Sequence, residues 1–104
     1  MLISMLGLIL IACISEAPRV GKRAPDFRLP DLNGQEVSLS CLRGTPVVIH
    51  FWASWCVPCW AEMPLIQGVF EEWSAKGVMV LTVNLGEHRS VVARYMQDNH
   101  LSFP

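Results

Sequence analysis

The chain has 104 residues, of which 52% are hydrophobic and 16% are charged, and its formal net charge at pH 7 is −1. This length allows one small domain and no more. The eight Lys and Arg residues are spread along the chain. This excludes the clustered basic surface of a nucleic-acid-binding protein, so we expect no nucleic-acid partner.

The N-terminal segment is apolar and carries no charged residue before position 16. It is shorter than the ~20 residues that cross a bilayer, and it has the character of the apolar core of a secretory signal. Its end, residues 10–13 (LIAC), resembles a bacterial lipobox, in which the cysteine becomes a lipidated N-terminus after cleavage. We predict a signal peptide or lipoprotein-type anchor over residues 1–13, with lipidation at Cys13, and a linker over residues 14–20. An uncleaved anchor or a wrongly assigned start is the alternative, because the Lys or Arg expected in front of such a segment is missing.

A β-hairpin is predicted after the linker. The dipeptide Asn33-Gly34 is a strong signal for a hairpin turn. Apolar and polar residues alternate on both sides of it, over residues 27–29 and 37–39. The hairpin leads into a turn that contains Cys41, which we expect to be a small buried residue, since free cysteine is commonly buried. The alternative is an unpaired thiol left over in an exported protein.

The next predicted strand leads directly into the most informative motif of the chain. Residues 47–52 (VVIHFW) form a continuous β-branched and aromatic run, typical of a strand that is buried on both faces in a parallel sheet. The pair Cys56-Val57-Pro58-Cys59 follows at the start of an apparent helix. A thiol there meets the positive end of the helix dipole and free backbone N–H groups, and both favour the thiolate. Because the thiolate is the nucleophile of disulfide exchange, the pattern predicts a protein that makes or breaks disulfides.

Spacing within the motif assigns the two thiols different roles. Cys56 is predicted to be the attacking thiolate because it lies at the helix start. Cys59 lies one turn further in, on the same side of the helix, and is predicted to be the resolving thiol.

A helix, a strand and a second helix are predicted next. The first helix ends near Gly77 and is expected to kink at Pro64. Residues 78–83 predict a second buried strand, and residues 90–99 predict the second helix. The order of elements indicates an α/β fold with a parallel strand pair joined by a right-handed crossover. The first helix has an apolar face of Cys59, Met63, Ile66, Phe70 and Trp73, and the inner side of the second helix comprises Val91, Val92, Tyr95 and Met96.

From about residue 21 to residue 104 the chain resembles the thioredoxin-like, membrane-tethered thiol–disulfide oxidoreductases of the TlpA/ResA type. The resemblance rests on the segments GKRAPDFRLPDLNGQEVSL, RGTPVVIHFWASWCVPC and AEMP. It implies a thioredoxin-like fold, in which β-α-β is followed by β-β-α. Only the first half is found here, so we expect residues 21–104 to be a partial thioredoxin-like domain of a truncated chain. The C-terminal β-β-α unit, with the cis-proline before its first strand, is absent.

The resemblance also implies a function and a location. In its full-length form the protein would be an enzyme, a thiol–disulfide oxidoreductase, anchored through its N-terminus to the periplasmic or extracytoplasmic face of the cell membrane. It would reduce disulfides of client proteins in cytochrome c maturation or copper-site assembly, and a membrane thiol reductant would return it to the reduced state. No cofactor and no metal are implied.

Five further residues near the dithiol receive roles from the resemblance. A glutamate at the position of Glu62 assists proton transfer in the family, and a buried carboxylate there could exchange protons near neutral pH. The alternative for Glu62 is a solvated residue on the helix surface. His50 lies where thioredoxin has a buried aspartate, so it is either a proton acceptor for the buried thiol or a core histidine hydrogen-bonded to a neighbour. Trp55 and Pro58 are active-site neighbours, and Trp60 either enlarges an apolar docking rim or packs on the helix.

Three other functions compete with this interpretation. A copper- or zinc-binding module could use Cys56 and Cys59 together with His50 or Met63, although a structural zinc site needs a second ligand pair that the sequence lacks. A peroxidase would need Thr or Ser three residues before the reactive cysteine, where this chain has Ala53. The chain could also be an inactive fragment that retains the motif.

Overall fold

The computed structural model of the chain describes residues 17–104. The predicted anchor over residues 1–13, with its lipidation site Cys13, and the first residues of the predicted linker lie outside this range. None of the helices within residues 17–104 is long and apolar enough to cross a membrane. Within the described residues, four strands and two α-helices are found, together with two 3₁₀ helices, Leu39–Leu42 and Ser74–Lys76. The strands and α-helices are β1 Arg28–Pro30, β2 Glu36–Ser38, β3 Val47–Trp52, α1 Val57–Trp73, β4 Met79–Asn84 and α2 Arg89–Asp98.

Strands β1 and β2 form the predicted hairpin. They pair antiparallel, with Leu29 opposite Val37. Gly34 has a φ of 79°, in the left-handed region that glycine adopts without a steric penalty. Oδ1 of Asp31 accepts hydrogen bonds from the backbone N–H groups of Asn33 at 2.8 Å and Gln35 at 2.9 Å, which fixes the turn.

Strands β3 and β4 form the predicted parallel pair, connected by α1. The register runs from Val47 opposite Met79 to Trp52 opposite Asn84. The carboxyl ends of parallel strands meet at one edge of a sheet, and here the backbone N–H of Leu85 donates to the carbonyl of Trp52 at 3.0 Å. This edge carries the loop that leads to the cysteines, and the mixed α/β architecture that the sequence predicted is confirmed.

The core lies between the strand pair and the two helices. Trp52, Phe103, Met63 and Val80 are its largest fully buried side chains. The ring of Trp52 lies 4.9 Å from that of Tyr95 on α2, centroid to centroid. Burying an aromatic or long aliphatic side chain contributes roughly 1.5–3 kcal/mol, so these few residues hold β3, α1 and α2 together.

The prediction that β3 is buried on both faces is wrong. Trp52 is 1% exposed, whereas its neighbour Phe51 is 57% exposed. Successive side chains of a strand lie on opposite faces. Residues of both α-helices pack in the cluster around Trp52, and Phe51 is not part of this cluster.

Two residues of the predicted helix faces are exposed rather than buried. Trp73 is 42% exposed and lies under the ammonium group of Lys76, 4.5 Å from its ring centroid. Val91 is also 42% exposed, because α2 directs its neighbour Val92 into the core. Helix α1 runs without interruption through Pro64, so this proline does not end the helix.

The prediction that Cys41 is buried is also wrong, because its thiol is free and exposed. Cys41 lies in the 3₁₀ helix Leu39–Leu42. Residues three apart share one side of such a helix. Leu39 and Leu42 take the half-buried side, which leaves Cys41 facing solvent.

Candidate active site

The two cysteines of the motif are joined by a disulfide, with their Cα atoms 5.3 Å apart. Cys56 is the N-cap residue of α1, with an extended backbone, and Pro58 lies in the first turn. Proline is tolerated there because the missing N–H would have no partner within the helix. The backbone N–H of Cys59 donates to the carbonyl of Cys56 at 3.0 Å, which closes the turn between the two cysteines.

The two cysteines differ in solvent exposure, and the predicted attacking thiol, Cys56, is the more accessible one. Cys56 is half-buried, whereas Cys59 is 8% exposed and belongs to the core cluster. The first turn of α1 holds no acidic residue that would oppose a thiolate. The end of the helix dipole can favour a negative charge at Cys56 by about 0.3–1 kcal/mol or more. The arrangement can therefore pass between a disulfide and a dithiol with Cys56 as its accessible sulfur.

His50 on β3 and Glu62 on α1 are brought together beside this motif. Nε2 of His50 lies 3.6 Å from Oε2 of Glu62, and the two side chains are 13% and 55% exposed. The expectation of a buried carboxylate at Glu62 is therefore wrong, because this residue lies on the solvent side of the second helical turn. The hydrogen bond expected for a core histidine is not found at Nε2 of His50, which has no such partner among the described residues.

The structure adds a carboxylate that the sequence interpretation missed, Glu87. Its Oε1 accepts a hydrogen bond from the backbone N–H of Ser54 at 2.6 Å, and its Oε2 is hydrogen-bonded to the Ser54 hydroxyl. The side-chain amide of Asn84 donates to the same Oε1 at 2.9 Å. Ser54 lies in the loop after β3, and Glu87 lies in the loop after β4. The topology could have indicated Glu87, because loops that follow the carboxyl ends of parallel strands commonly carry functional residues.

The environment of Glu87 changes its protonation. Partial burial by itself would raise the pKa of this carboxyl group. The hydrogen bonds donated by Ser54 and Asn84 outweigh that effect, so the pKa lies below its ordinary value of 4.5. Glu87 is therefore ionised at neutral pH, and three donated hydrogen bonds stabilise its carboxylate.

Three apolar residues that adjoin the two cysteines in sequence are exposed at the protein surface. Trp55, Val57 and Trp60 are 66%, 61% and 49% exposed. The indole N–H of Trp60 donates to the carbonyl of Ser54 at 2.8 Å, so this ring is tied to the loop before Cys56. Pro58 is also exposed, which leaves a largely apolar surface next to Cys56.

The competing functions find little support in this geometry. Within residues 17–104, no group of three or more His, Cys, Asp or Glu side chains is placed to hold a metal ion. Ala53 is completely buried, and its carbonyl accepts the N–H of Cys56 at 3.1 Å. The position three residues before the reactive cysteine thus offers no hydroxyl group to a peroxide.

Comparisons with known proteins point to the same chemistry. The thiol-disulfide oxidoreductase ResA of Geobacillus kaustophilus is 42% identical over 88 residues, which covers 85% of this chain and 51% of the relative. The protein of the same name from Bacillus subtilis is 37% identical over 84 residues, covering 81% of this chain and 47% of the relative. Among solved structures, a thiol:disulfide interchange protein of the thioredoxin family from Chlorobium tepidum matches with a TM-score of 0.69 at 27% identity. That match covers 85% of this chain and 61% of the other.

These matches confirm the resemblance and the thioredoxin-like fold. The chain spans about half the length of the curated relatives it matches. A family model, described as the AhpC/TSA family, matches residues 20–104. This match includes all the strands, both α-helices and both cysteines of the motif. The chain therefore belongs to the AhpC/TSA family.

Proposed function

We propose that this protein is a thiol–disulfide oxidoreductase that reduces disulfides in client proteins through Cys56 and Cys59. The observation that carries the proposal is the Cys56–Cys59 disulfide at the N-terminus of α1, with the more accessible cysteine at the helix cap. The names of the relatives support the same reaction class.

The reaction proceeds in two exchange steps. The Cys56 thiolate attacks one sulfur of a client disulfide, forms a mixed disulfide, and releases the other client sulfur as a thiolate that takes up a proton. Cys59 then loses its proton, attacks the Cys56 sulfur, and releases the second client thiol. Two electrons and two protons pass to the client, and the Cys56–Cys59 disulfide remains. A membrane thiol reductant then restores the dithiol.

His50 and Glu62 are the residues proposed to move the proton of the buried thiol. The 3.6 Å contact joins a nearly buried imidazole to a carboxylate that is half exposed to water. An imidazole nitrogen can both accept and donate a proton, and His50 lies on the strand that leads to the cysteines. In this proposal the pair carries the proton of Cys59 between the protein interior and solvent.

Export and membrane attachment are part of the proposal. The apolar segment over residues 1–13 and its lipobox-like end support an anchor, with residues 14–20 as a linker and residues 21–104 as the redox domain. Cys13 would carry the lipid at the extracytoplasmic face of the membrane. A bacterial host fed with labelled palmitate would incorporate label into the wild type and not into Cys13→Ala. An unlabelled wild type that is cleaved elsewhere would remove lipidation from the proposal.

The test of the activity is reduction of a protein disulfide by the pre-reduced chain. The wild type should cleave the interchain disulfides of insulin, Cys56→Ser should be inactive, and Cys59→Ser should accumulate mixed disulfides with its clients. Recovery of such adducts from an expressing bacterium, followed by peptide mapping, would identify the clients. Apocytochrome c or a copper-site protein is the expected client. Activity that survives in Cys56→Ser would contradict the proposal.

A further inference from the structure

Ser54, two residues before Cys56, is held by hydrogen bonds from two sides. Its carbonyl accepts the indole N–H of Trp60 at 2.8 Å. Its backbone N–H donates to Glu87 at 2.6 Å, and its hydroxyl is hydrogen-bonded to the second oxygen of that carboxylate. One residue therefore uses every polar group it has in fixing the loop in front of the attacking cysteine.

The Glu87 side of this arrangement rests on a strand rather than on another loop. Asn84 is the last residue of β4 and pairs in register with Trp52, the last residue of β3. Its side-chain amide donates to Oε1 of Glu87, and its side-chain carbonyl accepts the backbone N–H of Glu87, both at 2.9 Å. These two hydrogen bonds fix the Glu87 side chain at the sheet edge, where it also accepts the hydrogen bonds of Ser54.

The Trp60 side rests on α1. Trp60 lies in the first turns of the helix, directly after Cys59, and reaches back over the dithiol turn to Ser54. The backbone N–H of Cys56 is itself bonded to the carbonyl of Ala53 at 3.1 Å. The two ends of the segment that contains Cys56 and Cys59 are therefore tied together independently of the disulfide.

We propose that Glu87 and Trp60 are positioning residues that keep Cys56 in its disulfide geometry when both cysteines are reduced. This inference rests on the proposed redox function and concerns the equilibrium of its dithiol. In the oxidised state the S–S bond already holds Cys56 next to Cys59, so the hydrogen bonds to Ser54 add little constraint. In the reduced state they restrict the segment together with the backbone hydrogen bonds of Cys56 and Cys59, and they raise the effective concentration of one thiol at the other.

The consequence has a definite sign. One reduced protein and one oxidised glutathione give the Cys56–Cys59 disulfide and two reduced glutathione molecules, with two electrons and two protons transferred to glutathione. Releasing the segment makes ring closure less favourable and lowers this equilibrium constant. The protein becomes a weaker reductant, and its reduction potential becomes less negative.

The experiment measures this equilibrium constant in glutathione buffers with the full 104-residue chain, using mass spectrometry of trapped thiols. We expect Glu87→Ala and Trp60→Phe each to lower the constant about three- to tenfold, where tenfold corresponds to ~30 mV for a two-electron couple. Trp60→Phe removes the N–H and keeps an aromatic ring. Wild-type constants in both variants would overturn the proposal.

A charge effect at Glu87 would change the constant in the same direction, because loss of a nearby carboxylate favours the Cys56 thiolate. Glu87→Gln separates the two causes. Its amide oxygen can accept from Ser54 and Asn84, and its NH₂ can donate to the Ser54 hydroxyl, so the geometry is kept while the charge is lost. Positioning predicts a constant close to wild type for Glu87→Gln. A shift as large as that of Glu87→Ala would overturn positioning in favour of charge.

Two controls complete the design. Glu71→Ala removes an exposed carboxylate further along α1 and should leave the constant unchanged. If circular dichroism shows that Glu87→Ala is unfolded, Ser54→Ala removes only the hydroxyl and should give a smaller shift of the same sign, and no shift would count against the proposal. Glutathione equilibration needs no client protein. A wild type that equilibrates normally but fails to reduce insulin would therefore contradict the proposed function and leave this inference standing.

Discussion

Nε2 of His50 lies 3.6 Å from Oε2 of Glu62, which joins the strand before the dithiol to the second turn of the helix after it. The two residues are twelve positions apart and have unequal access to water, since the histidine is 13% exposed and the glutamate 55%. Neither is a metal ligand in any cluster of the described residues. A proton taken up at the imidazole therefore has a carboxylate next to it that faces solvent.

Glu62→Gln tests whether this pair takes part in the exchange reaction. The amide keeps the shape of the side chain but cannot carry a proton between His50 and water. We expect the rate of disulfide exchange at neutral pH to fall at least about tenfold, as is typical when a general acid or base is lost. The free energy of unfolding should change by less than ~0.5 kcal/mol, because the residue is largely exposed. Glu71→Gln on the same helix is the matched control, and an unchanged rate in Glu62→Gln would remove the glutamate from the mechanism.

Alkylation of the reduced protein should distinguish its thiols. Cys56 is half-buried at the helix N-terminus, whereas Cys59 is in the core, so iodoacetamide at mildly acidic pH should label Cys56 first. Cys41 is free and exposed, and it serves as an internal standard for a thiol without a helix dipole. Peptide mapping after short exposures gives the three rates. Equal labelling of Cys56 and Cys41 would show that the helix terminus does not activate the thiol.

Stability should decline in acid because two carboxylates titrate below their ordinary range. For Glu87 the hydrogen bonds from Ser54 and Asn84 lower the pKa despite partial burial. For Asp26 the backbone N–H of Ser40 is the main cause of the lowered pKa, through a 2.8 Å bond. A carboxyl group with a lowered folded-state pKa stabilises the fold above its unfolded pKa, and this contribution is lost as the pH falls through the folded value.

Urea unfolding at a series of pH values checks this behaviour. The free energy of unfolding should be nearly constant above about pH 5. It should decrease as the pH is lowered past the ordinary pKa of carboxyl groups, which lies near ~4. Glu87→Gln should show a shallower fall than the wild type, because Gln does not titrate. Parallel curves for the two proteins would show that Glu87 contributes nothing to the acid dependence.

Phe103→Ala should be strongly destabilising. Phe103 is 2% exposed and belongs to the same cluster as Trp52 and Met63. Truncating a buried phenylalanine costs about 3–5 kcal/mol, a large part of the ~5–15 kcal/mol that stabilises a small domain. Thermal unfolding followed by circular dichroism measures the loss. Leu65→Ala, at a residue 68% exposed, should change the midpoint little, and an equal effect of both substitutions would contradict the description of the core.

Local patterns in the sequence determined the elements and the reactive pair. Asn33-Gly34 between alternating residues specifies a hairpin, and the run over residues 47–52 specifies a strand, because both signals act over a few neighbouring residues. The C-x-x-C spacing at a helix start likewise places Cys56 at the cap and Cys59 one turn inside. The limits of the strands and of α2 differ from the predicted ones by at most one residue, as the ends of elements commonly do. Helix α1 ends at Trp73, and the 3₁₀ helix Ser74–Lys76 fills the remaining distance to Gly77.

Only the tertiary structure decided which side chains meet and which are exposed. Cys41, Phe51 and Trp73 have apolar or small side chains that composition alone assigns to a core, but their exposure depends on where the helices pack. Glu87 reaches Ser54 across 33 positions because two parallel strands end at the same sheet edge, and no local pattern encodes that meeting. The sequence by itself determined the chemistry at the dithiol, since that depends on residues in one short segment. The tertiary structure decided what holds the dithiol in place, since that depends on contacts between segments far apart in the chain.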